Sequence, residues 1–174
     1  MKLLNDDTIL LRALEPDDLD ILYQWENDTD LWTIGNSIAP FSRKQLWDYI
    51  ENYNSDIYSS RQLRLMITMA TSKEIIGTID FYDFDPFNLR SGIGILIDKK
   101  HTHKGYGHRS LELASDYAGN FLGLHQLFAI IPCDNTHSLS LFHNCGYKTT
   151  GQLTDWIKTG NTYRYAMLLQ LQLK

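Results

Sequence analysis

The sequence predicts an α/β protein in which helices flank one mixed sheet, and three features of its 174 residues support this class. Three strand-like segments lie between residues 61 and 98 and are separated by short turns, the spacing of an antiparallel meander. Segments with a helical apolar period precede and follow this meander. The end of the chain has the pattern of a hairpin around Thr159-Gly160-Asn161. Because no linker-like stretch is evident, residues 1–174 are predicted to form a single domain.

The first third of the chain predicts one strand, two helices and a connecting loop. Residues 8–14 have the apolar character of a strand. Residues 15–18, Glu-Pro-Asp-Asp, favour a helix start, because proline suits the first turn and acidic side chains oppose the positive end of the helix dipole. Residues 25–37 show no clear period and are predicted to form a loop. Ser42 and Gln45 match a capping box, which predicts that a second helix begins there.

The rest of the chain alternates strands with helices. The predicted meander strands are residues 61–70, 75–85 and 91–98. A helix with a periodic apolar face follows, and Gly123 is placed where its C-cap belongs. Residues 125–131 predict a buried strand, and the segment after it predicts a short helix that ends at Gly146. With the closing hairpin, the predicted order is β-α-α-β-β-β-α-β-α-β-β.

Composition and charge narrow the classes of function. A net charge of −5 disfavours nucleic acid as the main partner, because phosphate binding requires a basic surface, and it suits a cationic small molecule. Cys133 and Cys145 are too few for a disulfide framework, and without a His-Asp arrangement in the sequence they are interpreted as small buried residues. The sequence shows no signal peptide and no apolar run of membrane-spanning length, so a cytoplasmic protein without a membrane partner is expected.

Residues 101–110, His-Thr-His-Lys-Gly-Tyr-Gly-His-Arg-Ser, connect a predicted strand to a predicted helix. Gly105 and Gly107 allow several backbone N–H groups to point into one concavity, while Lys104 and the helix dipole add positive charge. These features predict a pyrophosphate site, although a plain glycine-rich turn has the same pattern. No metal is expected, since His101 and His103 lack a carboxylate or cysteine partner at ligand spacing. The glycine spacing matches neither a Walker loop nor a dinucleotide fingerprint.

Two stretches in this order resemble motifs of the GNAT superfamily of acyl-CoA-dependent N-acetyltransferases. Residues 102–107 are similar to its Q/R-x-x-G-x-G/A pyrophosphate signature. Residues 135–147, Asn-Thr-His-Ser-Leu-Ser-Leu-Phe-His-Asn-Cys-Gly-Tyr, resemble the N-x-x-S/A-x-x-L-Y-x-x-x-G-F segment that follows about thirty residues later in that family. The element order is also similar over nearly the whole chain. Residues 11–20, 75–85 and 151–169 resemble the branch of spermidine N-acetyltransferases and ribosomal-protein N-terminal acetyltransferases.

The resemblance implies a GNAT fold with acetyl-CoA as co-substrate. In this fold a mostly antiparallel sheet is flanked by helices, and strands four and five splay apart to admit the pantetheine arm. The implied contacts are strand backbone groups with the arm, the glycine loop with the pyrophosphate, and the later helix with the pantetheine and thioester. The cofactor-binding residues implied are Ile95, Leu96, Ile97, Thr102, His103, Lys104, Gly105, Tyr106, Gly107, His108, Asn135, Ser138 and Phe142.

Three positions depart from the family's pattern. Thr102 stands where the family usually has glutamine or arginine. Phe142 stands where many relatives carry the tyrosine that protonates the leaving thiolate, and phenylalanine has no proton to give. Gly92 stands where many relatives carry a glutamate, a candidate base. A catalytically weak acyl-CoA-binding sensor is therefore an alternative to an active enzyme.

Carboxylates and aromatic residues supply candidates for the acceptor side. Asp80 is predicted to be the catalytic, acceptor-side carboxylate, because similar enzymes carry an acid there; a solvated strand charge is the alternative. Glu26 with Trp25 and Trp32 is predicted to bind a cationic amine, although both tryptophans also suit a core. A polyamine or other small amine is the expected acceptor, and a protein N-terminus is the runner-up. The sheet edge at the closing hairpin also suits a homodimer or higher oligomer.

Overall fold

The computed structural model describes residues 3–35 and 37–173, and these residues form two compact units. The smaller unit spans Leu14–Asn54, and the larger unit contains the segments on either side of it. The helices of the smaller unit are α1 (Leu19–Glu26), α2 (Thr29–Gly35) and α3 (Arg43–Glu51), and those of the larger unit are α4 (Ile57–Ser60), α5 (Tyr106–Asn120) and α6 (Thr136–Asn144). In the described ranges, each helix is too short or too polar to cross a membrane.

The larger unit is built on a sheet that has seven strands within the described residues. The strands are β1 (Ile9–Arg12), β2 (Leu63–Met69), β3 (Ile75–Asp85), β4 (Arg90–Ile97), β5 (Gln126–Pro132), β6 (Lys148–Thr159) and β7 (Thr162–Gln172). Their order is β1-β2-β3-β4-β5-β7-β6; β4 runs parallel to β5, and the other neighbouring pairs are antiparallel. The predicted α/β class with a mixed, mostly antiparallel sheet and flanking helices is confirmed.

Helix α5 packs on one face of the sheet, as its apolar period predicts. Its fully buried apolar side chains are Leu111, Ala114 and Ala118. The ring of Tyr117 on the same helix lies 6.2 Å from that of Phe81 on β3. Because side chains alternate along a strand, Asp80 and Tyr82 point to the sheet face opposite α5. That opposite face carries the candidate site.

Of two short features in the larger unit, a hairpin and a one-turn helix, the sequence predicted only the first. The predicted closing hairpin is confirmed: Thr159 pairs with Thr162, and Gly160 between them has a φ of +60°. The one-turn helix α4 was not predicted. It begins after Asp56, whose side-chain oxygen accepts a hydrogen bond from the Tyr58 N–H at 3.0 Å. Such a short turn has no apolar period to reveal it.

The predicted helix starts of the smaller unit are confirmed. A 3₁₀ turn at Pro16–Asp18 leads into α1, and the Glu15 N–H donates to the buried Asp18 carboxylate at 2.8 Å. Ser42 caps α3 through a reciprocal pair: its hydroxyl accepts from the Gln45 N–H at 3.1 Å, and the Gln45 side chain accepts from the Ser42 N–H at 2.8 Å. The capping box therefore acts as the sequence predicted.

The prediction of a loop over residues 25–37 is wrong for most of its described part. Helix α1 continues to Glu26, and α2 occupies Thr29–Gly35; Asn36 lies outside the described residues. The reason is a cap that a search for apolar period misses: Asp28 stands directly before α2, and its carboxylate accepts from the Asp30 N–H at 3.0 Å. A short helix held by such a cap needs no periodic apolar face.

Candidate active site

A gap between β4 and β5 is the main feature of the larger unit. In the described part of the chain, these two strands pair over Arg90–Gly92 and Gln126–Phe128, and no further. Beyond Gly92, β4 continues to Ile97 against β3, while β5 continues along β7 as far as Pro132. The two strands therefore splay, as the resemblance implied, and the gap has a closed end at Gly92 and Phe128.

Hydrogen-bond alternation decides which peptide groups of β4 face this gap. The Asp98 N–H donates to the Ile76 carbonyl of β3 at 2.8 Å. Since peptide groups of an antiparallel strand point alternately to its two neighbours, those of Leu96 also face β3. The peptide groups of Ile95 and Ile97 face the gap instead. Of the three residues predicted to offer backbone groups to a ligand, these two are placed to do so.

The same alternation applies to β5. The Cys133 N–H donates to the Tyr165 carbonyl of β7 at 3.2 Å, so the peptide groups of Ile130 point away from β7 and into the gap. Ile130 lies two residues beyond Phe128, the last β5 residue that pairs with β4. Its N–H is therefore the first on β5 that the splay removes from the ladder. Pro132, the next residue facing the gap, has no N–H to satisfy.

The loop that follows β4 has the backbone of an anion-binding nest. A 3₁₀ turn at Lys99–His101 leads into it, and both His103 and Gly105 adopt left-handed conformations, with φ of +60° and +82°. Gly105 is the N-cap of α5 and has no side chain with which to cap the helix. The first N–H groups of α5 are thus presented at the loop, together with the positive end of its dipole.

Side chains of this loop are held against neighbouring structure. Lys104 donates to the Lys100 carbonyl, and the Thr102 hydroxyl donates to the Lys99 carbonyl, each at 3.0 Å. The His103 ring lies 4.8 Å from that of His137 on α6. A phosphate group would therefore be recognised here mainly by backbone N–H groups, which tolerate the threonine at the first signature position.

The imidazole of His108 contacts α6 and its own helix. It is therefore directed away from the glycine loop, where it was predicted to bind the cofactor. Its Nδ1 lies 3.1 Å from the Cys145 sulfur, and its Nε2 lies 3.3 Å from the Glu112 carboxylate. Burial raises the pKa of the Cys145 thiol to about 11, and the Glu112 charge adds to this effect. Cys145 therefore stays a thiol at neutral pH despite its histidine neighbour. A separation of 37 residues hid this contact from sequence analysis.

Helix α6 contributes a cap and a buried ring. The Asn135 side-chain oxygen accepts from the Ser138 N–H at 3.2 Å and caps the helix, which uses the oxygen and leaves the amide N–H₂ for other partners. Phe142 is 3% exposed, and its ring packs edge-on against Tyr147 at 4.9 Å. Burial raises the pKa of Tyr147, so this phenol is a poor acid. The helix offers no hydroxyl at the position where the family's tyrosine stands.

Gly92 has no room for a side chain, because the Tyr82 ring lies against it. The two residues are paired across β3 and β4, and a Cβ placed on Gly92 would lie 2.3 Å from Cε2 of the Tyr82 ring. A glutamate cannot occupy this position while the ring is there. A Cβ on Gly94 would lie 3.9 Å from the same ring, an ordinary contact. The tyrosine was not predicted as a site residue, because its register opposite a glycine is not visible in the sequence.

Asp80 lies on the same sheet face as Tyr82 and is oriented by an arginine. Arg64 on β2 donates to its two carboxylate oxygens at 2.7 and 3.3 Å. On its other side Asp80 pairs with Gly94, so the neighbouring surface of β4 has no side chain. The Asp80 side chain is 30% exposed. The carboxylate is thus held in one orientation and partly exposed next to Gly94, where β4 has no side chain.

The remaining predicted acceptor residues lie in the smaller unit. The Trp32 indole N–H donates to the Glu26 carbonyl at 2.8 Å, so these two residues are in contact. Trp25 is 6% exposed, which suits a core position better than stacking on a ligand. Trp32 is the half-buried tryptophan of the pair. Among the described residues of the chain, no cluster of His, Cys, Asp and Glu has a metal-binding arrangement.

Comparison with known proteins identifies a matching family and similar relatives. The model of the acetyltransferase (GNAT) domain family matches residues 8–148 of the chain. An uncharacterized N-acetyltransferase, p20 of Bacillus licheniformis, is 29% identical over 159 residues, which is 91% of this chain and 89% of that protein. The spermidine N(1)-acetyltransferase of Vibrio cholerae is 24% identical over 148 residues, covering 84% and 83% of the two chains.

Solved structures share the fold over almost the full length. The crystal structure of spermidine N-acetyltransferase from Vibrio cholerae in complex with CoA and spermine has a TM-score of 0.85 at 22% identity and covers 96% of each chain. A dodecameric structure of spermidine N-acetyltransferase from the same organism has a TM-score of 0.77 at 22% identity, covering 96% and 95%. At this identity the likeness establishes the fold of the chain.

Proposed function

Because the chain belongs to the GNAT acetyltransferase family and is an acetyl-CoA-dependent N-acetyltransferase, we propose that its acceptor is a polyamine or another small primary amine. One observation carries the proposal: a carboxylate, Asp80, is oriented beside Gly94, a β4 residue without a side chain, near the closed end of the gap. A slender cationic chain suits this surface. The net charge of −5 favours cations, and the spermidine-acetylating relatives add support.

The described residues fit acetyl-CoA. The gap presents the peptide groups of Ile95 and Ile97, which suit the amides of a pantetheine arm. The open end of β4 leads directly into the nest formed around His103 and Gly105, which suits a pyrophosphate. A thioester at the tip of the arm would then lie toward Gly92, where β4 and β5 meet. Bound acetyl-CoA supplies an acetyl group activated as a thioester.

The residues of the chain then act by binding, orientation and proton transfer. Peptide groups of β4 and the nest hold the arm and the pyrophosphate and so fix the position of the reactive end. Asp80 binds the protonated amine and accepts its proton, directly or through one water. Because Arg64 holds both carboxylate oxygens, Asp80 keeps one orientation while the amine enters. Amine and thioester are thereby brought together from opposite sides of the same short stretch of β4.

An acceptor panel tests the proposed function. Thiol release from acetyl-CoA is measured with spermidine, spermine, short diamines and peptides carrying a free N-terminus, and products are identified by mass spectrometry. We expect release with the polyamines and diamines. Release with peptides alone would move the assignment to a protein N-terminus. Binding of acetyl-CoA without release to any amine would contradict the proposed function and indicate a sensor.

The substitution Asp80→Asn tests the assigned carboxylate. The amide keeps the size of the side chain and one acceptor oxygen for Arg64, but it can neither pair with an ammonium nor accept its proton. We expect kcat/KM for the amine to fall on the order of 100-fold, with acetyl-CoA binding unchanged. Steady-state kinetics with the amine varied, together with calorimetric titration of acetyl-CoA, measure the two effects.

The matched control is Asp83→Asn. Asp83 is an exposed carboxylate on the same strand, with a φ of +48° that asparagine tolerates. This substitution removes one negative charge near the site and leaves the ion pair between Arg64 and Asp80 intact. Equal losses in the two variants would show that general electrostatic attraction, and no specific role of Asp80, explains the result.

A further inference from the structure

Tyr82 crosses β4 and ends at the closed end of the gap. Its ring covers Gly92, since a Cβ there would lie 2.3 Å from Cε2 and 2.4 Å from Cζ, the carbon that bears the hydroxyl. The same ring contacts Phe128 on β5 edge-on, with 5.8 Å between centroids. Gly92 and Phe128 are the last residues that pair between β4 and β5. The hydroxyl is therefore carried past β4 to the point where the strands separate.

The hydroxyl end of the ring lies near a peptide group that faces the gap. This group is the N–H of Ile130, the first on β5 that the splay removes from the ladder, and it acts on the pKa of Tyr82. In a continued parallel ladder this N–H would donate to a carbonyl of β4. Contacts of the ring with Gly92 and Phe128 hold the side chain in this position. Tyr82 is half-buried.

The Tyr82 hydroxyl carries one proton that it can donate to an acceptor in the gap. Burial raises the pKa of Tyr82 to about 12; the carboxylate of Asp83 adds to this rise and the Ile130 N–H opposes it. The group is therefore a neutral phenol across the working range of an enzyme. A neutral phenol donates a hydrogen bond but is neither a base nor a ready source of a free proton.

We infer that the Tyr82 hydroxyl donates a hydrogen bond to the acetyl-CoA thioester at the closed end of the gap as negative charge develops on it during acetyl transfer. The inference rests on the proposed function and deepens it, because it names a catalytic residue of the same site. An arm that enters at the nest and runs past Ile97 and Ile95 brings its thioester to Gly92, where the hydroxyl lies. Tyr82 thereby supplies a hydroxyl that Phe142 lacks.

The bonding changes of the reaction are unaffected by this role. The ammonium first gives one proton to Asp80; the neutral nitrogen then forms the C–N bond to the acetyl carbon, the C–S bond breaks with its electron pair on sulfur, and the nitrogen's second proton passes through water to the leaving thiolate. Tyr82 keeps its proton throughout. Its contribution is to stabilise the negative charge that develops on the thioester as the bonds change, in a position fixed before the reaction begins.

Other hydroxyl and thiol groups near the gap are less suited to this role. Tyr147 is 2% exposed and packs behind Phe142. Cys145 contacts His108 of α5, beside Glu112, and remains a thiol. Tyr82 combines access, a fixed position and a proton.

The substitution Tyr82→Phe tests the inference, because it removes the hydroxyl and keeps the ring over Gly92. We expect kcat to fall on the order of 100-fold, the usual cost of removing one preorganised donor. The Kd for acetyl-CoA and the KM for the amine should stay within about twofold. The ratio of wild-type to variant kcat should also be constant between about pH 7 and 10, since Tyr82 does not titrate there. Tyr147 and Asp83 are the titratable groups that interact electrostatically with Tyr82, and both are present in the wild type and in the variant.

The control is Tyr117→Phe, which removes a phenol hydroxyl from α5 on the other face of the sheet. Equal kcat values for Tyr82→Phe and Tyr117→Phe would overturn the inference while leaving the proposed function intact. Loss of acetyl-CoA binding in Tyr82→Phe would also overturn it, in favour of a purely structural role at the gap. A wild-type enzyme inactive with every amine would overturn the proposed function and the inference together.

A second variant keeps the inference testable if Tyr82→Phe folds poorly. Gly92→Ala retains the hydroxyl but forces the ring to move, because the added Cβ would lie 2.3 Å from it. We expect a loss of kcat comparable to that of Tyr82→Phe, and no further loss when both substitutions are combined. Additive losses would show that Gly92 acts independently of the hydroxyl, which would contradict the inference.

Discussion

Replacing Gly107 with valine is expected to weaken acetyl-CoA binding on the order of 100-fold. A Cβ at this position would lie 3.1 Å from Cδ2 of Leu141 on α6 and 3.7 Å from Cγ1 of Ile97 on β4. The two methyl groups of valine extend the contact toward Leu141 and Ile97, so the added bulk presses on the first turn of α5. That turn carries the N–H groups presented at the nest. An overpacking cost of about 2–3 kcal/mol corresponds to binding on the order of 100-fold weaker.

Calorimetric titration with acetyl-CoA measures this effect, and the melting temperature reports whether the variant is folded. The matched control is Gly119→Ala in the same helix, where the added Cβ would lie 3.4 Å from Leu173, an ordinary contact. We expect this variant to bind normally and to be at least as stable as the wild type. If Gly107→Val binds acetyl-CoA within about threefold of the wild type, the pyrophosphate has been placed wrongly.

Of the proposed substitutions, Gly77→Ala is expected to cause the largest loss of stability. A Cβ at Gly77 would lie 2.1 Å from the Leu96 carbonyl oxygen, and this oxygen belongs to the backbone of β4. A backbone atom cannot rotate away, so β4 must shift along the segment where it pairs with β3. We expect a loss of about 3 kcal/mol or more, which is a fall in Tm of about 6–12 °C for a chain of this size.

Thermal unfolding followed by circular dichroism measures this loss, with Gly119→Ala again as the control. The same shift disturbs the wall of the gap, so acetyl-CoA should stabilise Gly77→Ala less than it stabilises the wild type. An unchanged Tm would contradict the close packing of β3 on β4 described here. An unchanged shift by acetyl-CoA would show that this part of β4 does not line the ligand site.

The sequence predicted the features that depend on local patterns. The capping box at Ser42, the hairpin at Gly160 and the strand-loop-helix around Gly105 each involve neighbouring residues, and local chemistry determines them. Helix α2 was missed because it is short and held by the Asp28 side chain. A search for N-cap residues in the segment, rather than for apolar period, would have found it.

The parts of the site that were missed depend on contacts between distant residues. The pairing of Tyr82 with Gly92 follows from the register of β3 on β4, and a β-bulge directly after Tyr82 interrupts that register. The contact between His108 and Cys145 joins residues 37 apart. Gly92 and Phe142 stand where many relatives carry a candidate base and an acid. The structure gives the first a physical reason, since Tyr82 occupies the space that a longer side chain would need.

Acetyl-CoA binds, we propose, in the gap between β4 and β5. Amide hydrogen exchange of the wild-type protein, with and without saturating acetyl-CoA, tests this placement most directly. We predict slower exchange in Ile95, Ile97 and residues 103–108, where peptide groups face the arm and the pyrophosphate. Unchanged exchange in these residues, or protection confined to another surface such as the outer side of α5 around Glu112, would contradict the account.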